Sequence, residues 1–65
     1  MTQTVKVQIL KVRDTGETNM FDANAVSYIA NRLGLYELVV YLMDKANRKE
    51  YAQFIMTGEA PIQED

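Results

Sequence analysis

Apolar side chains recur along this chain at helical intervals, and the intervals are interrupted at Gly16, Gly34 and Gly58. In the first interval Val5, Ile9 and Val12 fall at i, i+4 and i+7, one face of a helix over residues 4–13. The same stretch also alternates, with Val5, Val7 and Ile9 set against Lys6 and Gln8, as a strand would. A lone strand leaves its backbone groups unpaired, and no second strand is evident in the sequence. The helix is therefore preferred, and the strand survives only as an element paired across two copies. Asp14-Thr15-Gly16 closes the segment in a turn.

The second interval carries the fullest set of helix signals. Asp22 suits the N-cap, where a carboxylate accepts from free backbone N–H groups. Phe21 and Val26 have the spacing of a hydrophobic staple across that cap. Val26, Ile29, Ala30 and Leu33 then recur at i, i+3, i+4 and i+7, and Gly34 follows as the residue that ends the helix. A third helix is predicted from Leu35 or Tyr36, and a fourth over residues 47–56. In the fourth, Asn47 and Glu50 have the spacing of a capping box, and Tyr51, Phe54 and Ile55 form the apolar face. Residues 44–49 contain neither glycine nor proline, so the third and fourth helices also read as one continuous element.

Residues 38–43, Leu-Val-Val-Tyr-Leu-Met, are apolar on every side of a helix. Such a helix is either central or covered by another surface. A chain of 65 residues buries only a modest fraction of itself and has little protein with which to cover all sides. Tyr36, Leu38, Tyr41 and Leu42 are accordingly the expected interface residues.

Composition narrows the alternatives. There is no cysteine and no histidine, so disulfides, thiolate chemistry, zinc sites of the usual kind and histidine-based acid–base catalysis are not expected. Of the staples that hold small domains together, oligomerisation is the one left. The formal charge is -2, with 7 basic and 9 acidic residues, whereas a nucleic-acid binder usually carries a basic excess. No signal-peptide pattern opens the chain, and the longest apolar run falls far short of a membrane span.

Candidate chemistry is sparse. The second and third helices, with Ala30 and Gly34 at their junction, have the spacing of a helix-turn-helix. The second of the pair would present Tyr36, Glu37, Leu38, Tyr41 and Leu42 to a groove, and none of these is Arg, Lys, Asn or Gln. Lys45, Arg48 and Lys49 form a possible patch for nucleic acid or an acidic partner, set against the plainer reading of solvated surface compensated by Asp44 and Glu50. Asp14, Glu17 and Asp22 surround Gly16 without the ligand spacing of a calcium loop. Ser27 has no histidine to activate it, and Tyr28, Tyr36, Tyr41 and Tyr51 read as core or interface residues with their hydroxyls at a wet edge. An enzyme is not expected, and neither a metal nor a cofactor.

Several strings carry a family resemblance. They are Gln8-Ile9-Leu10-Lys11-Val12-Arg13-Asp14-Thr15-Gly16, Asn19-Met20-Phe21-Asp22, Tyr36-Glu37-Leu38-Val39-Val40-Tyr41, Glu50-Tyr51, Phe54-Ile55 and Thr57-Gly58. In this order they resemble a family of very short, uncharacterised phage and prophage proteins of Gram-positive bacteria, over about residues 5–58. Asn-Met-Phe-Asp and Glu-Leu-Val-x-Tyr are the more specific parts. The chain departs from the pattern at Lys45-Ala46-Asn47, where the family's linker is more acidic. The resemblance implies a phage-encoded accessory protein of the host cytoplasm and favours helix for the first segment. It carries over no activity and no functional residue.

The expectation is thus an all-α bundle of three to four short helices over residues 1–58, followed by a flexible acidic tail at 59–65. It is expected to be a cytoplasmic homodimer that binds and modulates a host or phage protein, without membrane association. The alternative function is a helix-turn-helix-like DNA-binding regulator. The alternative fold pairs an N-terminal strand across a dimer.

Overall fold

The structure, a computed structural model, describes residues 1–62. Four helices follow one another: α1 (Gln3–Thr15), α2 (Ala23–Arg32), α3 (Tyr36–Met43) and α4 (Lys45–Thr57). No strand occurs among the described residues, so the first segment is helical and the strand alternative is excluded. The α1 helix begins at Thr2, whose hydroxyl accepts from the Val5 N–H, and ends at Gly16 in the left-handed region. Its buried residues are Val5, Gln8, Ile9 and Val12, an i, i+3, i+4, i+7 face.

Asp22 caps α2 as its residue type predicts, accepting from the Ala25 N–H at 3.1 Å. Phe21 remains 61% exposed while Val26 is fully enclosed, so these two do not close over the cap as a buried staple. Helix α2 ends at Arg32, with Leu33 between it and the turn glycine. Gly34 takes φ 76°, its N–H reaches the Asn31 carbonyl, and the Leu35 N–H reaches the Ala30 carbonyl at 2.8 Å. These two bonds form a Schellman motif, which needs a left-handed residue at that position. Leu33, expected on the buried stripe, is the C-cap and stays exposed, because the helix stops before its side chain can turn inward.

Helices α3 and α4 are separate. Asp44 breaks the helical path with ψ 120° and caps α4 by accepting from the Ala46 N–H at 2.9 Å. The expected capping box at Asn47 and Glu50 is therefore not formed, since Asp44 already serves the first turn and Asn47 lies inside the helix. Helix α3 packs against each of the other three. One continuous core results, built from Met1, Val5, Ile9, Val12, Val26, Ile29, Ala30, Leu38, Leu42, Tyr51 and Phe54. Leu10, Met20, Leu35, Val39, Tyr41, Ile55 and Ala60 pack around it.

The predicted tail begins against this bundle. Ala60 packs on the core, and the Pro61 carbonyl accepts from the Met1 amino group at 3.1 Å. Residues 63–65 of that predicted tail lie outside the described residues.

Candidate interaction surface

Helix α3 is eight residues long and too short to hold itself without help at its ends. Leu35, its N-cap, has no side chain that can cap. The missing acceptor comes from α1: the Gln8 side-chain oxygen accepts from the Leu38 N–H at 2.9 Å. The Gln8 amide nitrogen donates to the Glu37 carboxylate at 2.6 Å, so both ends of the buried amide are satisfied. At the other end, Asn47 Nδ2 donates to the Tyr41 carbonyl at 3.0 Å and Arg48 Nε to the Leu42 carbonyl at 2.9 Å. Side chains of α1 and α4 thus hold backbone groups at both ends of α3, which restrains its rotation about its own axis.

That rotation sorts the apolar residues. Leu38 and Leu42 point inward and are wholly enclosed. They therefore belong to the core of one chain, and their assignment to an interface is corrected. Tyr41 is half-buried and its hydroxyl donates to Glu50. Burial and that carboxylate push the Tyr41 hydroxyl well above the ordinary tyrosine range. The hydrogen bonds from Tyr41 and from the Met1 amino group, the latter 2.9 Å away, hold the Glu50 carboxyl below the usual range. Tyr36 does face solvent, at 59% exposure.

Two surface residues that are not among the expected interface residues complete the outward face. Val40 is 66% exposed and Met43 is 74% exposed. With Tyr36 they fall at i, i+4 and i+7, one stripe along α3. Beside the N-terminal half of this stripe lies an open groove of about 530 Å³, lined by Thr2, Thr4, Val5, Tyr36, Glu37 and Val40. Glu37 is the one charged residue on α3, and Gln8 holds its carboxylate. The stripe itself carries no charge.

The basic residues do not gather as one site. Lys45 and Lys49 are exposed, but the Arg48 guanidinium turns to the Leu42 carbonyl and to Asn24 Oδ1 at 3.1 Å. Lys6 lies over the Phe54 ring, 5.6 Å from its centroid. Glu17 pairs with Arg32, whose hydrogen bond holds the Glu17 carboxyl below its usual range and ties the first loop to α2. Tyr51 anchors the same loop by donating to the Met20 carbonyl, and burial pushes its hydroxyl up to about 12. Among the described residues no cluster of three or more His, Cys, Asp or Glu side chains is placed to hold a metal ion, and no helix is long and apolar enough to cross a membrane.

No curated protein and no solved structure matches the chain. A family model, a domain of unknown function (DUF5049), matches residues 1–59, nearly the whole length, and the chain belongs to that family.

Proposed function

We propose that the chain is a protein–protein interaction module whose docking face is the outward side of α3. The observation that carries this reading is the stripe of Tyr36, Val40 and Met43, three large apolar side chains left in water on one face of the central helix. A domain this small has every reason to bury such residues, and both ends of α3 are fixed by side-chain hydrogen bonds that hold the stripe outward. The resemblance of its strings to phage proteins supports an accessory role in a host cell's cytoplasm, where the module would bind and modulate a host or phage protein. No observation favours the DNA-binding alternative. The outward residues of α3 are Tyr36, Glu37, Val40 and Met43, and none is Arg, Lys, Asn or Gln.

The test is a comparison of captured proteins. Tagged wild-type chain, a Val40→Asp variant and a Tyr28→Asp variant are used as baits in lysate of the source cell. Tyr28 is 70% exposed on α2 and serves as the off-face control. The expected result is a specific protein, or further copies of the chain, retained by wild type and Tyr28→Asp and lost with Val40→Asp. Equal capture by all three baits contradicts the reading.

A further inference from the structure

Met1 is almost wholly buried, with 2% of its surface exposed and its side chain in the core. Its α-ammonium is therefore a charge placed inside the bundle. Two distant parts of the chain receive it. Glu50 Oε1 on α4 lies 2.9 Å away, and the Pro61 carbonyl, beyond the end of α4, accepts at 3.1 Å. The same Glu50 oxygen accepts from the Tyr41 hydroxyl of α3. One carboxylate oxygen thus joins α3 and α4 to Met1, and Met1 in turn holds the segment that follows Gly58. Ala60, in that segment, packs on the core.

We infer that the α-amino group of Met1 is a modification-sensitive latch: unmodified, it holds residues 60–62 against the bundle, and an acyl group on it, or excision of Met1, releases them. A primary ammonium carries a positive charge and three donor hydrogens, enough for both partners. An acylated nitrogen is an amide with one hydrogen and no charge, and can serve Glu50 or Pro61 but not both. The acyl group also brings a carbon and an oxygen beside a residue with almost no free surface. In an interior packed at native density, added atoms displace their neighbours.

The neighbour that yields most easily is the segment after α4. Its bond to Met1 is made by one backbone carbonyl, it belongs to no helix, and Pro61 and Ile62 are exposed. Glu50 is held within α4 and keeps the Tyr41 hydroxyl as a donor. Excision of Met1 acts on the same segment by a second route. It removes a core side chain and leaves Thr2, the cap of α1, at the chain terminus.

The test uses the full 65-residue chain, made by chemical synthesis with a free amine, with an acetylated amine, and with the amino group replaced by hydrogen. The last form removes charge and donors without adding atoms. A glutamate-specific protease reads the release at the Glu59–Ala60 bond, with the Glu50–Tyr51 bond inside α4 as the internal reference. Both altered chains should be cut after Glu59 about tenfold faster than the free-amine chain, the effect of one charge-assisted hydrogen bond on a local opening. Glu50→Gln should speed the same cut, and acetylation should add less to Glu50→Gln than to the wild type, because the two changes remove one shared interaction. If circular dichroism shows the acetylated chain unfolded, the chain lacking the amino group decides the matter. Equal cutting of the folded forms after Glu59 overturns the inference, as does an acetylation effect undiminished in Glu50→Gln. The intact mass of the protein from its source cell should be that of a chain starting at unmodified Met1. A chain found there acylated, extended before Met1 or lacking Met1 also overturns it.

Discussion

The side-chain oxygen of Gln8 accepts the backbone N–H of Leu38 across thirty residues of chain, and this one bond supplies the cap that α3 lacks in its own sequence. Replacing Gln8 with Ala leaves that N–H without its acceptor. The expected cost is about 1–2 kcal/mol, the range of a lost cap or a buried unpaired donor. Chemical denaturation at neutral pH checks it. Gln8→Glu should cost more at neutral pH, because its carboxylate faces that of Glu37. Like-charge repulsion raises the folded-state pKa of the introduced acid, so stability is present at low pH and lost as pH rises through that value. A Gln8→Glu variant whose stability rises with pH contradicts the arrangement.

Arg48 acts on the opposite end of the same helix. Arg48→Ala removes the donor to the Leu42 carbonyl and the link to Asn24, and is expected to destabilise by about 1–2 kcal/mol. Lys45→Ala and Lys49→Ala, on exposed surface, should stay within about 0.5 kcal/mol of wild type. Equal effects at the three positions would mean that Arg48 is ordinary surface, as the sequence first suggests.

The two faces of α3 should respond to truncation in opposite ways. Leu42→Ala opens a cavity in the core and is expected to cost about 2–5 kcal/mol, enough to threaten folding in a domain of this size. Val40→Ala and Met43→Ala should change monomer stability by less than about 0.5 kcal/mol, while weakening association. Thermal unfolding at low concentration separates the two effects. A Leu42→Ala chain as stable as the wild type would place that residue outside the core.

Tyrosine ionisation sets an alkaline limit. The folded-state values of Tyr41 and Tyr51 lie above the ordinary tyrosine value of about 10. A raised folded value means that the stabilisation is fully present below the unfolded value and lost as pH rises through the folded one. Unfolding should therefore become easier above about pH 10, with Tyr51 releasing its proton near pH 12. Tyr51→Phe, which also forfeits the bond to the Met20 carbonyl, should flatten part of that alkaline loss. Tyrosinate absorbance followed alongside helicity checks this. On the acid side, Glu50 is held low by Tyr41 and the Met1 amino group, so its contribution is present above the ordinary carboxylate range and fades as pH falls through its depressed value.

What the sequence makes legible is what depends on near neighbours. Asp22 as a cap, Gly34 as a helix end and the Val5, Ile9, Val12 stripe each need only a few residues of context, and the structure contains all three. The Asn47–Glu50 spacing misleads because Asp44 offers an earlier cap and Asn47 serves the Tyr41 carbonyl instead. The outward stripe is illegible for a different reason. A helix apolar on every side has no polar face to mark its rotation, so Leu38 and Leu42 cannot be told from Val40 and Met43 until the neighbours are placed. Gln8 is hidden likewise, since a partner thirty residues away leaves no local pattern.

The four methionines offer the most direct measurement of the account's central claim. Met43 and Met56 are almost equally exposed, at 74% and 73%, but only Met43 lies on the α3 stripe. Methyl NMR of the methionine side chains, recorded as the protein retained by the wild-type bait is added, should show the Met43 resonance moving or broadening while Met56, Met20 and Met1 hold still. A moving Met56 beside a stationary Met43, or four resonances unchanged as that protein is added, would contradict the claim that the outward face of α3 is the docking face.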